Sequence, residues 1–280
     1  MVTGVNKPSY IFLDEHILKS SKTEDLHLSI EIGLNEFSYL IRDNEQVLAL
    51  ETNQENLSLF SEKIKTHTWL SRKYKSTNIC LVNQKSTLIP DSFFEQKKKR
   101  EYLSFNHEKT ENLEILYDKI MPINSYNVYG ISKPIMELIE THFKDATLKH
   151  HSSSLIVNWT TEHKNNEEKK LVLNFQNKNF QIMMIDKMEL KYFNTFKFQH
   201  NNDCIYHLLF AVEQLKLDAE KIKLFLYGNI LKNSELYNLI YSYVRFVEFG
   251  NRSKLLEISP LVNQIENHQN YSLLHQHLCE

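Results

Sequence analysis

The stretch LHLSIEIGLNEFSYLIRDNEQVLALE, residues 26–51, alternates apolar and polar side chains in the way that half-buried strands do. The alternation is interrupted at Asp43-Asn44, a pair of residues that favours a tight turn, and it then resumes. This pattern predicts an antiparallel β-meander in this part of the chain.

The same rhythm returns in LVLNFQNKNFQIMMIDKMELKYFN, residues 171–194. A shift of 143 positions (171 minus 28) places Leu28 on Leu171 and needs no gap, although only three of the 24 aligned residues are identical. Two meanders often match in apolar phase by chance, so the alignment needs support from outside the quoted stretches.

That support comes from Ile79, which the same shift places on Ile222. A predicted strand thereby falls on a predicted strand after an intervening helix. The order of meander, helix, strand and helix then occurs twice at one offset, which predicts a duplicated α/β unit. We expect two lobes, at residues 1–150 and 151–280.

The remaining elements follow from apolar spacing and turn residues. Helical periodicity predicts helices within residues 53–70, 133–143, 203–215 and 234–244. The apolar stretch SSSLIVNWTTEH, residues 152–163, is interpreted as a strand, and EHKNNEEKK, residues 162–170, as the hairpin loop that follows it.

Charge and composition restrict the function. The net charge of -2 gives no global field that favours nucleic acid, and the basic run Lys97–Arg100 is flanked by acids and typical of a solvated face. An RNA-linked role stays an alternative that salt-dependent retention on RNA would support. No apolar run is long enough to span a membrane, and Cys80 lies in an apolar stretch as a buried thiol. We expect a cytoplasmic protein.

Four short stretches carry a resemblance to a known family: STLIPDSFF (86–94), PINSYNVYGI (122–131), HHSSSLI (150–156) and LFLYGNI (224–230). They resemble an uncharacterised bacterial domain-of-unknown-function family with an actin-like ATPase fold. The resemblance implies an α/β fold class of two tandem ribonuclease-H-like lobes, arranged as in actin, hexokinase and the heat-shock chaperones of that type.

In ATPases of this fold, the first hairpin of each meander turns around the nucleotide phosphates, so the resemblance implies where a nucleotide cleft would lie. Its candidate residues are Glu31 and Gly33 in the first copy, Asn174 and Gln176 in the second, and Gly228 on the adenosine side. Small residues are needed there because backbone N–H groups must reach phosphate oxygens. The second copy has neither carboxylate nor glycine at the turn, and an outward-facing strand residue explains Glu31 equally well.

Other reactive residues have simpler explanations. His150-His151 before Ser152–Ser154 suggests a base beside a nucleophile, but sequence neighbours point to opposite sides of a strand, and a polar loop explains them better. His268, His275, His277 and Cys279 could bind zinc, yet their spacing fits no familiar tetrahedral site and a frayed terminus explains them. We expect no catalytic residues and no metal site.

The sequence therefore predicts a non-catalytic protein that keeps the actin-like fold, has a degenerate nucleotide site without a cofactor, and binds another protein as an interaction or scaffold module. By resemblance, actin-like relatives that assemble pili recruit protein partners through their lobes. The alternative is an ATP-binding switch that uses ATP with Mg²⁺ and to which Glu31 and Gly33 contribute.

Overall fold

The computed structural model describes residues 11–33, 36–53, 57–163, 167–187, 189–253, 256–258 and 265–276. These residues group into two compact units. The N-terminal unit comprises Ser9–Asn158 with Ser253–Gln264 and Ser272–Glu280, and the C-terminal unit comprises Trp159–Arg252 with Ile265–Tyr271, as far as each range is described. The division at residue 150 stays a prediction of the sequence.

The N-terminal unit contains most of the strands. Its first part consists of β1 (Ile11–Leu13), α1 (Glu15–Ser20), β2 (His27–Ile32), β3 (Phe37–Asp43), β4 (Gln46–Asn53), α2 (Leu57–Thr66) and β5 (Ser76–Leu81). It continues with β6 (Ser86–Pro90), α3 (Lys99–Asn106), β7 (Leu113–Ile120), β8 (Ser125–Ser132), α4 (Lys133–His142) and β9 (Thr147–His150). The helix α5 (His151–Glu162) then leads into the C-terminal unit.

The C-terminal unit repeats part of that order. Its elements are β10 (Lys170–Phe175), β11 (Asn179–Asp186), β12 (Glu189–Lys197), α6 (Asn201–Gln214), β13 (Lys223–Gly228), α7 (Glu235–Tyr243) and β14 (Phe246–Phe249). Two short elements follow, β15 (Glu257–Ile258) and α8 (Tyr271–Leu274).

Each unit has one main sheet with the same central order. The strands run β1-β4-β3-β2-β5-β9 in the N-terminal unit, where β15 also pairs with β4, and β12-β11-β10-β13-β14 in the C-terminal unit. In both sheets an antiparallel meander is followed by parallel strands. A separate three-stranded sheet, β6-β8-β7, belongs to the N-terminal unit and packs beneath α3.

The duplicated meander is confirmed down to its register. Leu28 pairs with Ile41, and 143 positions later Leu171 pairs with Met184. Both meanders have an irregular register at equivalent positions, immediately after Ile41 and after Met184. The turns match as well, since Asn44 and Lys187 both adopt left-handed backbone angles, with φ of 46° and 48°.

Beyond the meanders, the predicted alignment matches the correct strands, β5 and β13, but it pairs the wrong residues within them. Ile30 pairs with Ile79, while its counterpart Leu173 pairs with Leu226. Ile79 therefore corresponds to Leu226, four positions beyond the predicted Ile222. The connecting helix explains the difference, because α6 has 14 residues and α2 has 10.

The stretch 152–163 is helix α5 and not a strand, so the sequence interpretation is wrong there. Leu155, Ile156 and Trp159 are all fully buried, at the spacing of one helix face. Their apolar and β-branched neighbours mimic a buried strand, and periodicity alone does not separate the two. It follows that residues 162–170 connect a helix to β10 and do not form a hairpin loop; residues 164–166 lie outside the described part.

Each main sheet packs against its own helices. In the N-terminal unit, α4 begins with Pro134 in its first turn and buries Ile135, Leu138 and Ile139 against the core. Cys80 on β5 is 1% exposed, in agreement with the predicted buried thiol. The predicted site residues lie at the carboxyl ends of β2, β10 and β13, which is where α/β sheets commonly bind ligands.

Candidate functional site

Glu31 lies on β2 of the N-terminal unit and is only 8% exposed. The Ser272 hydroxyl donates a hydrogen bond to Glu31 Oε1, and the Gln276 side-chain amide donates to the carbonyl oxygen of Ile30 over 3.2 Å. The interpretation of Glu31 as an outward-facing strand residue is therefore wrong. Its carboxylate accepts a hydrogen bond from Ser272, one of the described residues 265–276, which we call the C-terminal segment.

Gly33 follows β2 and donates its backbone N–H to the carbonyl oxygen of Glu36 over 2.8 Å. A Cβ atom at Gly33 would lie 2.9 Å from Cγ of the flexible Glu36 side chain. The N–H that a phosphate-binding turn would present is thus satisfied inside the protein. The following residues 34 and 35 lie outside the described part.

In the C-terminal unit, Asn174 and Gln176 both contact one side chain that the sequence analysis did not single out, Gln181 on β11. The Asn174 amide donates to Gln181 Oε1 over 2.9 Å, and Gln181 Nε2 donates to Gln176 Oε1 over 3.3 Å. All three side chains are buried. This carboxamide chain spans the β10–β11 hairpin in place of small residues that would leave backbone N–H groups accessible.

Gly228 ends β13 with a φ of +81°, a backbone conformation that favours glycine. Its N–H donates to the carbonyl oxygen of His268 over 2.8 Å. A Cβ atom at this position would lie 2.1 Å from the carbonyl oxygen of Phe175. The close approach of two backbone segments therefore accounts for this glycine.

The C-terminal segment contributes residues to both units, and the sequence analysis missed its role. In the C-terminal unit, His268 Nε2 donates to the carbonyl oxygen of Ile230 over 2.7 Å and the Tyr271 hydroxyl donates to Glu162 over 2.9 Å. Leu273 and Leu274 are fully buried in α8. In the sequence, two adjacent leucines among polar residues are the feature that could have predicted a packed segment here, and that signal is weak.

Two of the four candidate zinc ligands, His268 and His275, lie in the described part of the chain. His275 accepts the Ser253 N–H at Nε2 over 2.8 Å, and His268 donates to a backbone carbonyl. Both rings are therefore engaged, while His277 and Cys279 lie outside the described residues. Within the part of the chain that the structure describes, no group of three histidine, cysteine, aspartate or glutamate side chains could hold a metal ion.

A second polar cluster lies where the three-stranded sheet meets α5, inside the N-terminal unit. Asp118 Oδ2 on β7 accepts from the Ser153 hydroxyl over 2.6 Å and from the His150 N–H over 2.8 Å. Its Oδ1 accepts from the Tyr129 hydroxyl over 3.1 Å. Burial raises the pKa of Asp118, although all three donors act to lower it. Asp118 thus anchors the start of α5 from another element, through Ser153 in its first turn and through His150, the residue before it.

His150 in this cluster is fully buried and neutral. Its Nδ1 lies 3.2 Å from the Ser152 N–H and 3.3 Å from the Asn127 amide, so it is the acceptor, and Nε2 donates to Asn83 Oδ1 over 3.2 Å. Burial lowers the pKa of His150 well below 6.5.

The Ser153 hydroxyl donates to Asp118 and accepts from Asn127, and within the described residues it makes no hydrogen bond to the imidazole of His150 or His151. The arrangement anchors a helix, and it lacks the hydrogen bond from nucleophile to base that a catalytic serine needs.

The basic run also has structural partners. Arg100 donates to the carbonyl oxygens of Thr110 and Leu113 over 2.8 and 3.0 Å, and Lys98 pairs with Glu95 at 2.6 Å. The Arg100 bonds hold α3 to the start of β7, whereas the pair of Lys98 and Glu95 is local and exposed. Across the described ranges, no helix is both long and apolar enough to cross a membrane.

Two solved structures resemble this chain over nearly its whole length. A Bacteroides thetaiotaomicron VPI-5482 protein with actin-like ATPase fold and unknown function gives a TM-score of 0.78 at 23% identity, over 92% of this chain and 97% of that one. The PilM-PilN type IV pilus biogenesis complex gives a TM-score of 0.61 at 11% identity, over 90% and 98%. At these identities the likeness establishes the fold alone, and it confirms the predicted actin-like ATPase fold.

A search of curated proteins gives no match. The model of one protein family, described as a protein of unknown function (DUF3822), matches residues 15–247. Since that match spans most of the 280 residues, the chain belongs to this DUF3822 family, as the resemblance in its sequence predicted.

Proposed function

We propose that this protein is a non-catalytic module that binds another protein and that its ancestral nucleotide site is degenerate. The observation that carries the proposal is the bond from Ser272 to the buried Glu31 carboxylate. In the ATPases of the fold that the sequence resembles, a carboxylate at the end of the first strand holds a metal-bound water, and it needs access to that water. In this protein Glu31 Oε1 accepts a hydrogen bond from the Ser272 hydroxyl instead, and both Ser272 and the following Leu273 are buried.

The C-terminal unit supports the same conclusion. Asn174 and Gln176 are joined through Gln181, and the Gly228 N–H is bound by His268. The residues present in each unit therefore do not fit a triphosphate, because the donors that would bind phosphate oxygens already have internal acceptors. We assign no chemical step to ATP or Mg²⁺.

We favour a protein as the binding partner because the cores of both units are packed as the fold requires, while the groups that would bind phosphate are engaged within the protein. The resemblance to the PilM-PilN structure, itself a complex of two proteins, is in line with this choice. Fold likeness at 11% identity carries no partner identity, so the partner is defined only as a protein.

The proposal is tested by isolating the tagged full-length chain from its source cells and measuring the stoichiometry of the proteins that remain bound. We expect one partner at a fixed ratio, unchanged after apyrase and EDTA remove nucleotide and divalent metal. Release or exchange of that partner when MgATP is added would instead support the ATP-binding switch, for which the retained Glu31 and Gly33 are the favouring residues.

A further inference from the structure

The C-terminal unit contains a cavity of about 500 Å³ beside the carboxyl ends of β13 and β14. Three segments line it: Leu231–Asn233 before α7, Phe249–Asn251 after β14, and Glu266–His268 of the C-terminal segment. The carboxyl ends of parallel strands are where α/β sheets commonly bind ligands, and the volume lies in the usual range for such sites.

Three carboxamides line this cavity: Asn233, Asn251 and Asn267. All three residues are exposed, and among the described residues their side-chain amides have no intramolecular hydrogen-bond partner. A carboxamide offers an acceptor and two donors, which matches the donor and acceptor of a peptide group. Three of them at one cavity can pair with the backbone of an extended segment.

The charges at the cavity balance. Lys232 and Glu266 carry opposite charges, and among the described residues they are the only lysine, arginine or acidic side chains in the lining. A near-neutral lining gives no electrostatic attraction for a phosphate group or for a strongly charged peptide. The chemistry therefore favours an uncharged occupant.

Leu231 and Phe249 contribute apolar side chains to the lining, and Phe249 is packed against its neighbours. Leu231 is 43% exposed, and the Phe249 ring stacks on Tyr237 with ring centres 5.2 Å apart. Behind it, a Cβ at Gly250 would lie 2.0 Å from the Tyr227 ring, so the backbone there fits closely against that ring. A fixed apolar wall beside unpaired carboxamides suits one apolar side chain flanked by peptide groups.

We propose that this cavity binds an extended, uncharged peptide segment of a protein partner, with one apolar side chain against Leu231 and Phe249 and the adjoining peptide groups on the carboxamides. The inference deepens the proposed function and rests on it. It names the chemistry of the bound segment and the surface that receives it.

The probe for the test is N-acetyl-L-leucine methylamide, which carries one apolar side chain between two peptide groups. It is titrated into the isotope-labelled full-length protein while backbone amide NMR shifts are recorded, with adenosine as the rival probe. We expect saturable shifts confined to the three lining segments, with a dissociation constant on the order of 1 mM for so small a ligand, and no such shifts with adenosine.

Two substitutions separate the contacts. Leu231→Asp should weaken binding of the probe by about tenfold or more, since it places a charge against the apolar side chain. Tyr206→Asp, at an exposed aromatic on α6 away from the lining, should leave binding unchanged. Asn251→Asp keeps the shape and removes a donor, so we expect binding several-fold weaker. Unchanged melting temperatures show that each variant is folded.

Absence of shifts with the probe, or equal shifts in the wild type and Leu231→Asp, would overturn this inference and leave the proposed function standing, because a partner could then bind elsewhere. Adenosine shifts in the same segments, together with stabilisation by MgATP, would overturn the inference and the proposed function together.

Discussion

The Ser272 hydroxyl donates to the Glu31 carboxylate, although 241 positions separate the two residues. Glu31 lies on the central strand of the N-terminal unit, and Ser272 lies in α8 near the end of the described chain. The contact therefore joins α8 to the carboxylate that the sequence resemblance proposes for a nucleotide cleft. Its strength can be measured.

Replacing Ser272 with Ala should destabilise the protein. The substitution removes a donor from a buried carboxylate, at a cost of about 1–3 kcal/mol in the free energy of unfolding. The melting temperature, measured by calorimetry, should fall by several degrees. Ser242→Ala is the matched control, because the Ser242 hydroxyl is bonded to the Leu239 carbonyl at an exposed position and its loss should change little. Equal decreases in melting temperature for the two substitutions would show that the bond from Ser272 to Glu31 does not stabilise the protein.

Gly228→Ala should be far more damaging than Gly33→Ala. The first forces a Cβ to within 2.1 Å of the Phe175 carbonyl oxygen at a left-handed backbone angle, whereas the second meets only the Glu36 side chain. A left-handed conformation alone costs an alanine about 1–3 kcal/mol, and the clash adds to it. Chemical denaturation of both variants measures the difference. Similar stabilities would show that Gly228 is not required by the packing.

Asp118→Ala should destabilise the joint between the three-stranded sheet and α5. The change leaves the Ser153 hydroxyl, the Tyr129 hydroxyl and the His150 N–H without their acceptor, and we expect a loss of about 3 kcal/mol or more. Hydrogen exchange should locate the loss at α5 and β7. Asp91→Ala, at an exposed ion pair with Lys119, is the control and should be nearly neutral. An Asp118→Ala variant with the melting temperature of the wild type would show that Asp118 does not stabilise this joint.

Stability should fall as the pH drops below 6.5. Burial lowers the pKa of His150 well below its ordinary value and that of His151 to about 4, so below pH 6.5 the unfolded chain binds protons that the folded chain does not. Each histidine can then remove up to about 1.4 kcal/mol per pH unit until its own folded pKa is reached. The raised pKa of Asp118 acts in the opposite direction, because the folded chain holds that proton more tightly.

The measurement is the free energy of unfolding at pH 7 and pH 5 in the wild type and in His150→Asn, whose side-chain oxygen replaces the Nδ1 acceptor. We expect a smaller difference between the two pH values in the variant. A wild-type stability that does not change between these values would contradict the neutral, buried His150.

The meanders could be predicted from sequence because their period of two is local. Leu28 and Leu171 both start a run in which one shift fixes strand, turn and register together, and the structure keeps that register to Asn44 and Lys187. The Ile222 assignment failed because helix length is not fixed by strand periodicity.

The candidate site could be predicted only in part, because its key contacts join residues far apart in the chain. Glu31 is visible as a carboxylate in a strand, but its donor Ser272 lies in a polar segment whose burial depends on the whole fold. The same holds for α5, whose first turn is anchored through Ser153 by Asp118 on another element. The local pattern of apolar and polar residues does not predict such contacts between residues far apart in the chain.

The most direct test of the central claim is the melting temperature of the full-length protein with and without MgATP. A nucleotide present at 100 times its dissociation constant would stabilise the fold by about 2.7 kcal/mol, which corresponds to several degrees. We expect that adding MgATP changes the melting temperature neither of the wild type nor of Glu31→Ala. An increase of several degrees in the wild type that Glu31→Ala abolishes would contradict this expectation.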